Sequence, residues 1–416
     1  MSHSTNPPNA RIDIDTSAKR SAECVTAESP GNNQLLYFTS PSLTADGQHL
    51  VFLSDRTGVP NLFVRDMASG RERPLTTNQT GVLKSYVYFD GIPYQGLGKA
   101  SASLDVHRGV VYFIEGRRIC AVTLDGAQRV LAEYPADQMT AYTHVSADGR
   151  WLCIPTTDAR VLDGDRVMSG PPDYNVDDRV RAENLSSYVR IYDTATGAQV
   201  ACERIPGGWV THVQFSPTRR DWITYNHEWT VADRGLRRLW LWDGKHHRRL
   251  RVEGDGSTRA DHVTHEMWER DGSAIVYHGC FATPQPGRTN LRQFVGRIGP
   301  DDSSQTELPL PEAWGRYGHY TVGNGSDLVS DGYYEEPDDP VPQPKGRTWM
   351  NGGAWISVLR PDWKNRSIRW MPLCRHGSTW VNQDSHPHPV FSEDGKSILF
   401  TSDQSGRRAI YRVAVP

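Results

Sequence analysis

The sequence predicts an all-β protein, a seven-bladed β-propeller. Short runs of alternating apolar and polar residues recur along the 416 residues, with turn signals about every eight to twelve residues. The composition agrees, because 37 glycines, 27 prolines and 13 tryptophans are typical of a large β protein with many turns. A repeating unit that contains an Asp-Gly turn is the third observation, and it indicates blades.

The first unit shows the pattern. Residues 43–55 predict a strand, a turn at Asp46-Gly47 and a second strand, because Asp-Gly between apolar runs is a strong hairpin signal. Residues 61–66 and 70–75 predict two further strands. Four short antiparallel strands make one propeller blade.

Altered copies of this unit follow along the chain. They begin near residues 110, 145, 213, 268, 322 and 391. About seven units of roughly 40 to 60 residues are therefore expected, as in a propeller. The last unit has three strands before Pro416, so we expect an N-terminal strand to join the last blade and close the ring.

The polar residues 1–30 are predicted to be a flexible N-terminal tail, and residues 31–416 a single propeller domain. Insertions near 159–187 and 333–347 are predicted to be loops.

Composition also restricts the partners. The net charge is −3 and no basic run occurs, so no nucleic-acid partner is expected. No apolar run reaches 18 residues, so no membrane association is expected. The N-terminus has no apolar signal region, and the six cysteines form no CxxC motif. A cytoplasmic location is therefore expected.

The segment QDSHPHP, residues 383–389, predicts part of a metal site. His386 and His388 are two residues apart and project from the same face of an extended strand. Pro387 and Pro389 keep the backbone extended. Gln383 can supply an amide oxygen. Imidazole nitrogens and an amide oxygen together suit a divalent metal ion.

Other histidines occupy matching places. His212, His265 and His388 each lie six residues before the turn residue of their units, and His386 lies eight before it. Even offsets place these side chains on one face of a strand. His319 lies five before its turn, so its unit is expected to have a shifted or bulged register. Five histidines from four units are thus predicted at the same end of neighbouring strands, which indicates a functional site.

These residues suit chemistry on an acidic substrate. Neutral ligands leave a metal its full charge, and the donor set fits Mn²⁺ as well as Ni²⁺ or Zn²⁺. His265 would be a general base, and Arg237 or Arg238 would bind a carboxylate. Metal, base and arginine together suit removal of a proton next to a carboxylate, followed by β-elimination. The same groups also suit metal-assisted hydrolysis.

Two segments resemble the oligogalacturonate lyase family. The matching residues are THExWxxDGSA from Thr264 to Ala274 and SHPHP from Ser385 to Pro389, and the similarity continues through Leu399–Asp403. Looser similarity covers most of the chain from about residue 35. The resemblance implies a seven-bladed propeller that binds Mn²⁺ and cleaves short acidic oligosaccharides by β-elimination.

The resemblance also implies roles for individual residues. The Mn²⁺ ligands would be His319, Gln383, His386 and His388. His265 would abstract the proton and Arg238 would neutralise the substrate carboxylate. His212, His227 and Arg237 are expected to line the substrate site.

Two alternatives remain. The sequence is also compatible with a non-catalytic propeller that binds a ligand or serves as a scaffold. The second alternative is a lyase of the same chemistry for a different uronate-containing oligosaccharide, because the loops at 81–103 and 159–187 depart from the family pattern.

Overall fold

The computed structural model describes residues 9–79, 101–162, 182–228, 238–251, 260–285, 288–301, 303–311, 318–332, 355–381 and 383–416. Thirty strands in these ranges form seven sheets. The predicted fold class, an all-β propeller with seven blades, is confirmed. Three short 3₁₀ turns in the same ranges are Thr16–Ala18, Ala159–Leu162 and Gln383–Ser385. None of the helices described is long and apolar enough to cross a membrane.

The N-terminal segment is structured from residue 11. It forms strand β1 (Arg11–Ile14), the turn Thr16–Ala18 and strand β2 (Glu23–Cys24). The Asp15 side chain caps the turn by accepting the backbone N–H of Ser17. The expectation of a flexible tail over residues 1–30 is therefore wrong for this part, because backbone hydrogen bonds to two sheets hold it.

The chain divides into two compact units. The unit called N-terminal here comprises Glu28–Trp229 and Trp240–Arg248. The unit called C-terminal comprises Met1–Ala27, Thr230–Leu239 and Arg249–Pro416. The expectation of one domain over residues 31–416 stays a prediction.

Four sheets belong wholly or mostly to the N-terminal unit. The first contains β3 (Asn33–Leu35), β4 (His49–Ser54), β5 (Asn61–Asp66) and β6 (Glu72–Pro74). The second contains β7 (Ala102–Asp105), β8 (Val110–Glu115), β9 (Arg118–Thr123) and β10 (Gln128–Glu133). The third contains β11 (Gln138–Thr140), β12 (His144–Val145), β13 (Trp151–Asp158), β14 (Ser186–Asp193) and β15 (Gln199–Pro206). The fourth contains β16 (Val213–Phe215), β17 (Ile223–Asn226), β18 (Leu239–Trp242) and β19 (His247–Arg249).

Three sheets belong to the C-terminal unit. The first contains β20 (Ala260–Trp268), β21 (Ile275–Gln285), β22 (Arg288–Ile298) and β23 (Thr306–Pro309). The second contains β24 (Tyr320–Val322), β25 (Leu328–Ser330), β26 (Trp355–Asp362) and β27 (Ser367–Arg375), and β1 adds to it in parallel. The third contains β28 (Val390–Phe391), β29 (Ser397–Ser402) and β30 (Ala409–Ala414).

The last sheet takes its fourth strand from the N-terminus. Strand β2 pairs antiparallel with β30, and Glu23 lies opposite Arg412. This strand is the one that the three-stranded last repeat predicted, and the prediction is confirmed.

The cores lie between neighbouring sheets within each unit. In the C-terminal unit, Val358 and Leu373 of one sheet pack with Ile398 and Phe400 of the next, and all four are fully buried. The middle strands therefore have apolar residues on both faces. The candidate site lies beside the ends of the first strands, where histidines precede β24 and β28.

Candidate functional site

Four predicted histidines occupy an equivalent place in four sheets. Each lies three residues before the last residue of the first strand that pairs with the second strand, directly before the turn between them. These pairs are His212 and Phe215, His265 and Trp268, His319 and Val322, and His388 and Phe391. The sequence spacing predicted this relationship for His212, His265 and His388, but not for His319.

The offset of His319 has a different cause from the one expected. The turn between the paired residues Val322 and Leu328 contains residues 323–327, whereas the turn between Phe391 and Ile398 contains residues 392–397. The turn after β24 is thus one residue shorter, and the strand register is unchanged. The expected register shift in the His319 unit is wrong.

Three histidines of the C-terminal unit form a buried cluster. His319 directly precedes β24, and His386 and His388 lie four and two residues before β28. One nitrogen of each ring lies within 4.8 Å of the others. Nε2 of His319 and Nε2 of His388 are 3.0 Å apart. Two nitrogens that bind one ion at about 2.1 Å each are about 3 to 4 Å apart, so this cluster fits a metal ion.

Close backbone contacts hold the cluster together. The Thr321 hydroxyl donates to the carbonyl of Pro389 at 2.6 Å, which ties the β24 segment to the segment that carries His388. A Cβ on Gly318 would lie 2.5 Å from Cα of Gly332, so only glycine permits these two backbone segments to approach so closely. His388 itself has φ 45°, a conformation that is uncommon for non-glycine residues. Positions of this kind are often functional.

The protonation of His386 suits a metal ligand. Burial, with a smaller contribution from nearby His319, lowers the pKa of His386 well below its usual value. The ring is therefore neutral and can offer a lone pair at neutral pH. Its buried Nδ1 has no hydrogen-bond partner among the described residues. A bound ion would remove the cost that such a buried polar atom carries.

Gln383 is the fourth predicted ligand. Its backbone begins the 3₁₀ turn Gln383–Ser385, which ends directly before His386. Its side chain lies outside the described part of the structure, so its role as a ligand stays a prediction.

His265 lies beside the cluster on a strand irregularity. The β20–β21 pairing shifts between Thr264 and Met267, and His265 has φ 51°. Bulges of this kind redirect a side chain. The His265 ring centroid is 4.6 Å from that of His319, and its Nδ1 is 2.6 Å from Nε2 of His278. The predicted base thus lies next to a predicted ligand, as the sequence spacing suggested.

Arg238 is paired with a carboxylate of the protein. Its Nε donates to Glu266 at 3.0 Å, and both side chains are at most 3% exposed. Glu266 directly follows His265 in sequence, and Arg238 belongs to the same unit as both. Arg237, the second predicted carboxylate-binding arginine, lies outside the described residues.

His212 belongs to a separate buried network in the N-terminal unit. Its Nε2 is 3.0 Å from the Tyr37 hydroxyl, and its Nδ1 is 3.4 Å from Glu228. Thr211 and Asn226 both donate to the same Glu228 oxygen. A carboxylate, an imidazole and a phenol are therefore linked in series.

His227 directly precedes Glu228 of that network. Neighbouring residues of an extended strand project to opposite sides. Its ring instead contacts Trp240 at 5.3 Å and Tyr225 at 5.9 Å between centroids. The sequence analysis grouped His227 with His212, and the structure separates them into different surroundings.

The sequence analysis missed the residues opposite the equivalent histidines. Asn226, His278 and Asp331 each lie three residues after the first paired residue of the second strand, and each contacts the histidine across from it. The sequence contained a signal for these residues, because counting outward from both sides of each hairpin turn pairs each of them with the histidine opposite. It was overlooked because those positions contain three different residue types.

Trp380 covers the cluster of His319, His386 and His388. Its ring stacks on His319 with centroids 5.5 Å apart and lies 4.5 Å from His386. The side chain is partly exposed and the backbone has φ 56°. A rigid aromatic surface is therefore present beside the three nitrogens.

The comparisons with known proteins confirm the resemblance that the motifs predicted. The chain is 26% identical over 224 residues to the oligogalacturonide lyase of Pectobacterium atrosepticum, a match that covers 50% of each chain. The chain spans about half the length of the curated relatives it matches. No protein-family model matches the chain.

Solved structures share the fold over most of the chain. An oligogalacturonate lyase in complex with manganese is 21% identical with a TM-score of 0.69, covering 92% of this chain and 90% of its own. The oligogalacturonate lyase of Vibrio parahaemolyticus is 21% identical with a TM-score of 0.70, covering 94% and 93% respectively. The class defined here is a seven-bladed β-propeller with a buried histidine cluster. Within that class, the chain is similar to the oligogalacturonate lyases.

Proposed function

We propose that the chain is a metal-dependent lyase that cleaves short uronic-acid oligosaccharides by β-elimination, with oligogalacturonides as the first candidates. The observation that carries this proposal is the cluster of His319, His386 and His388, with His265 beside it. A structural role alone does not require three buried imidazoles to share one point. The names of the similar proteins support the choice of reaction and sugar.

Mn²⁺ is the proposed ion. The similar oligogalacturonate lyase structure that was solved in complex with manganese supports this choice. Nitrogen and oxygen ligands without thiolate also accept other divalent ions. His319, His386 and His388 would hold it, with Gln383 as the fourth ligand. When bound, the ion supplies positive charge to the substrate carboxylate and so makes the adjacent C–H more acidic.

The protein residues account for the proton transfer. His265 takes the proton from C5 of the uronate. The electron pair of that C–H bond forms the C4–C5 double bond, the C4–O bond breaks, and the leaving oxygen takes a proton from solvent water. Arg238 stabilises the negative charge that develops on the carboxylate. The products are a shortened sugar and an unsaturated uronate.

The substrate site is proposed to include His212, His227 and Arg237. We also propose a cytoplasmic location, where the substrate would be a short acidic oligosaccharide. Neither nucleic acid nor a membrane is a proposed partner.

The test is a rise in ultraviolet absorbance from the unsaturated product. Purified protein is supplied with di- and trigalacturonate, with Mn²⁺ or after treatment with EDTA. A metal-dependent rise supports the lyase and the sugar together. No rise with stoichiometric bound metal would indicate a lyase for another uronate. No rise and no bound metal would favour the non-catalytic propeller.

A further inference from the structure

Asp331 is a fully buried carboxylate that contacts two of the three clustered histidines. Its Oδ2 is 2.8 Å from Nδ1 of His319, and its Oδ1 accepts the backbone N–H of the same residue. The same Oδ2 accepts the backbone N–H of His388 at 3.2 Å. One side chain therefore holds histidines that precede the first strands of two different sheets.

These contacts determine which nitrogen of His319 faces the cluster. A carboxylate can only accept hydrogen bonds, so Nδ1 of His319 must donate to Asp331. In the neutral ring, the lone pair is then on Nε2, which lies 3.0 Å from Nε2 of His388. Metal ions bind the lone pair of a neutral imidazole, and a carboxylate behind the ring increases its basicity.

The chain contains a matched carboxylate without such a histidine. Asp55 follows Ser54 at the end of β4, as Asp331 follows Ser330 at the end of β25. Asp55 accepts the backbone N–H and the side-chain amide of Asn32 at 2.7 and 2.8 Å. An aspartate at this place thus holds the segment that leads into the first strand. At Asp331, the residue held is a candidate ligand.

We propose that Asp331 is a positioning residue of the metal centre, which keeps His319 in the Nδ1–H tautomer and fixes the distance between His319 and His388. The inference rests on the metal-dependent function proposed above. It predicts that loss of this carboxylate weakens metal binding while the metal-free fold is retained.

The test compares Asp331→Asn with the matched control Asp55→Asn. Free Mn²⁺ is followed by electron paramagnetic resonance as each EDTA-treated, dialysed protein is titrated, and metal-free thermal unfolding is recorded in parallel. Asp331→Asn is expected to raise the Kd for Mn²⁺ about 10- to 100-fold. Asp55→Asn is expected to leave it unchanged. If Asp331→Asn unfolds, Asp331→Thr replaces it, because Thr401 occupies the place opposite His388.

Each outcome distinguishes the inference from the proposed function. Tight Mn²⁺ binding by the wild type and by Asp331→Asn alike overturns the inference and leaves the proposed function standing. Equal weakening in the Asp331 and Asp55 variants also overturns it, since the effect would then be general. If the wild type binds no divalent ion, both are overturned.

Discussion

Nδ1 of His265 lies 2.6 Å from Nε2 of His278, and the two rings are stacked across the β20–β21 pair. Both side chains are buried. A proton on Nδ1 of His265 can therefore be donated to His278, which leaves the lone pair of Nε2 as the proton acceptor. His278 is placed to orient the proposed base, much as a carboxylate orients the histidine of a catalytic triad.

Replacing His278 tests this orientation. We expect His278→Leu to lower kcat at least about tenfold with little change in KM, because the base loses the partner that selects its tautomer. His278→Gln retains an acceptor oxygen and should recover part of the activity. Steady-state kinetics on trigalacturonate provide the measurement. An unchanged kcat in the leucine variant would show that His278 is only a packing residue.

Replacing His265 tests the base directly. His265→Ala is expected to lower kcat by about 10²- to 10⁴-fold, since general base catalysis contributes that much. Metal content, measured by atomic emission, should stay stoichiometric because the three clustered histidines remain. Normal turnover by this variant would remove His265 from the proposed mechanism, whereas loss of metal would assign it a role in the centre.

Variants of the Arg238–Glu266 pair can separate an effect on protein stability from an effect on catalysis. Glu266→Gln leaves a buried arginine without its counter-charge and is expected to cost about 3 to 5 kcal/mol of the free energy of unfolding. The double variant Arg238→Met with Glu266→Leu should regain most of that stability, because no buried charge remains.

The double variant should nevertheless lack activity, since the charge that would face the substrate carboxylate is gone. Urea unfolding and the absorbance assay provide the two measurements. A stable and active double variant would contradict the proposed role of Arg238.

Trp380 is proposed to bind a sugar ring beside the three clustered histidines. Trp380→Ala is expected to raise KM about 3- to 10-fold and to change kcat little, because stacking on an aromatic ring contributes on the order of 1 kcal/mol. Trp380→Phe keeps a smaller ring and serves as the matched control. Metal affinity is measured in both variants, since the ring also covers His319 and His386. An unchanged KM in the alanine variant would assign Trp380 to packing alone.

Because of His144, the protein is expected to lose part of its free energy of unfolding in acid. Burial lowers its pKa from 6.5 to about 4, and its Nδ1 accepts the backbone N–H of Phe215 at 3.2 Å. The unfolded chain therefore binds a proton as the pH falls below 6.5, while the folded chain does not until about pH 4. The free energy of unfolding should decrease across that window and change no further through His144 below it.

The measurement is urea unfolding of metal-free protein between neutral pH and pH 4, with His144→Gln as the comparison. The wild type is expected to lose on the order of 2 kcal/mol more than the variant, a figure reduced because the ring is only partly buried. Parallel pH profiles of the two proteins would contradict this assignment.

The repeat pattern was sufficient to predict the blades and the equivalent histidines. Strand alternation and Asp-Gly turns are local signals, so His265 and His388 could be placed at matching positions before any fold was known. The same local signals misjudged His319, because a turn shortened by one residue and a shifted strand register give the same spacing in sequence.

Which residues hold those histidines depended on the tertiary structure. The pairing of Glu266 with Arg238 follows from tertiary packing and burial, which the sequence does not show. The place of Asp331 opposite His319 can be counted from the hairpin turn, but its hydrogen bonds to His319 and His388 required the structure. The sequence by itself determined the fold class and the equivalent places of the histidines, because those depend on local periodicity. Only the tertiary structure decided the buried hydrogen-bond partners, because a buried polar group must be satisfied by whichever side chain folding brings within reach.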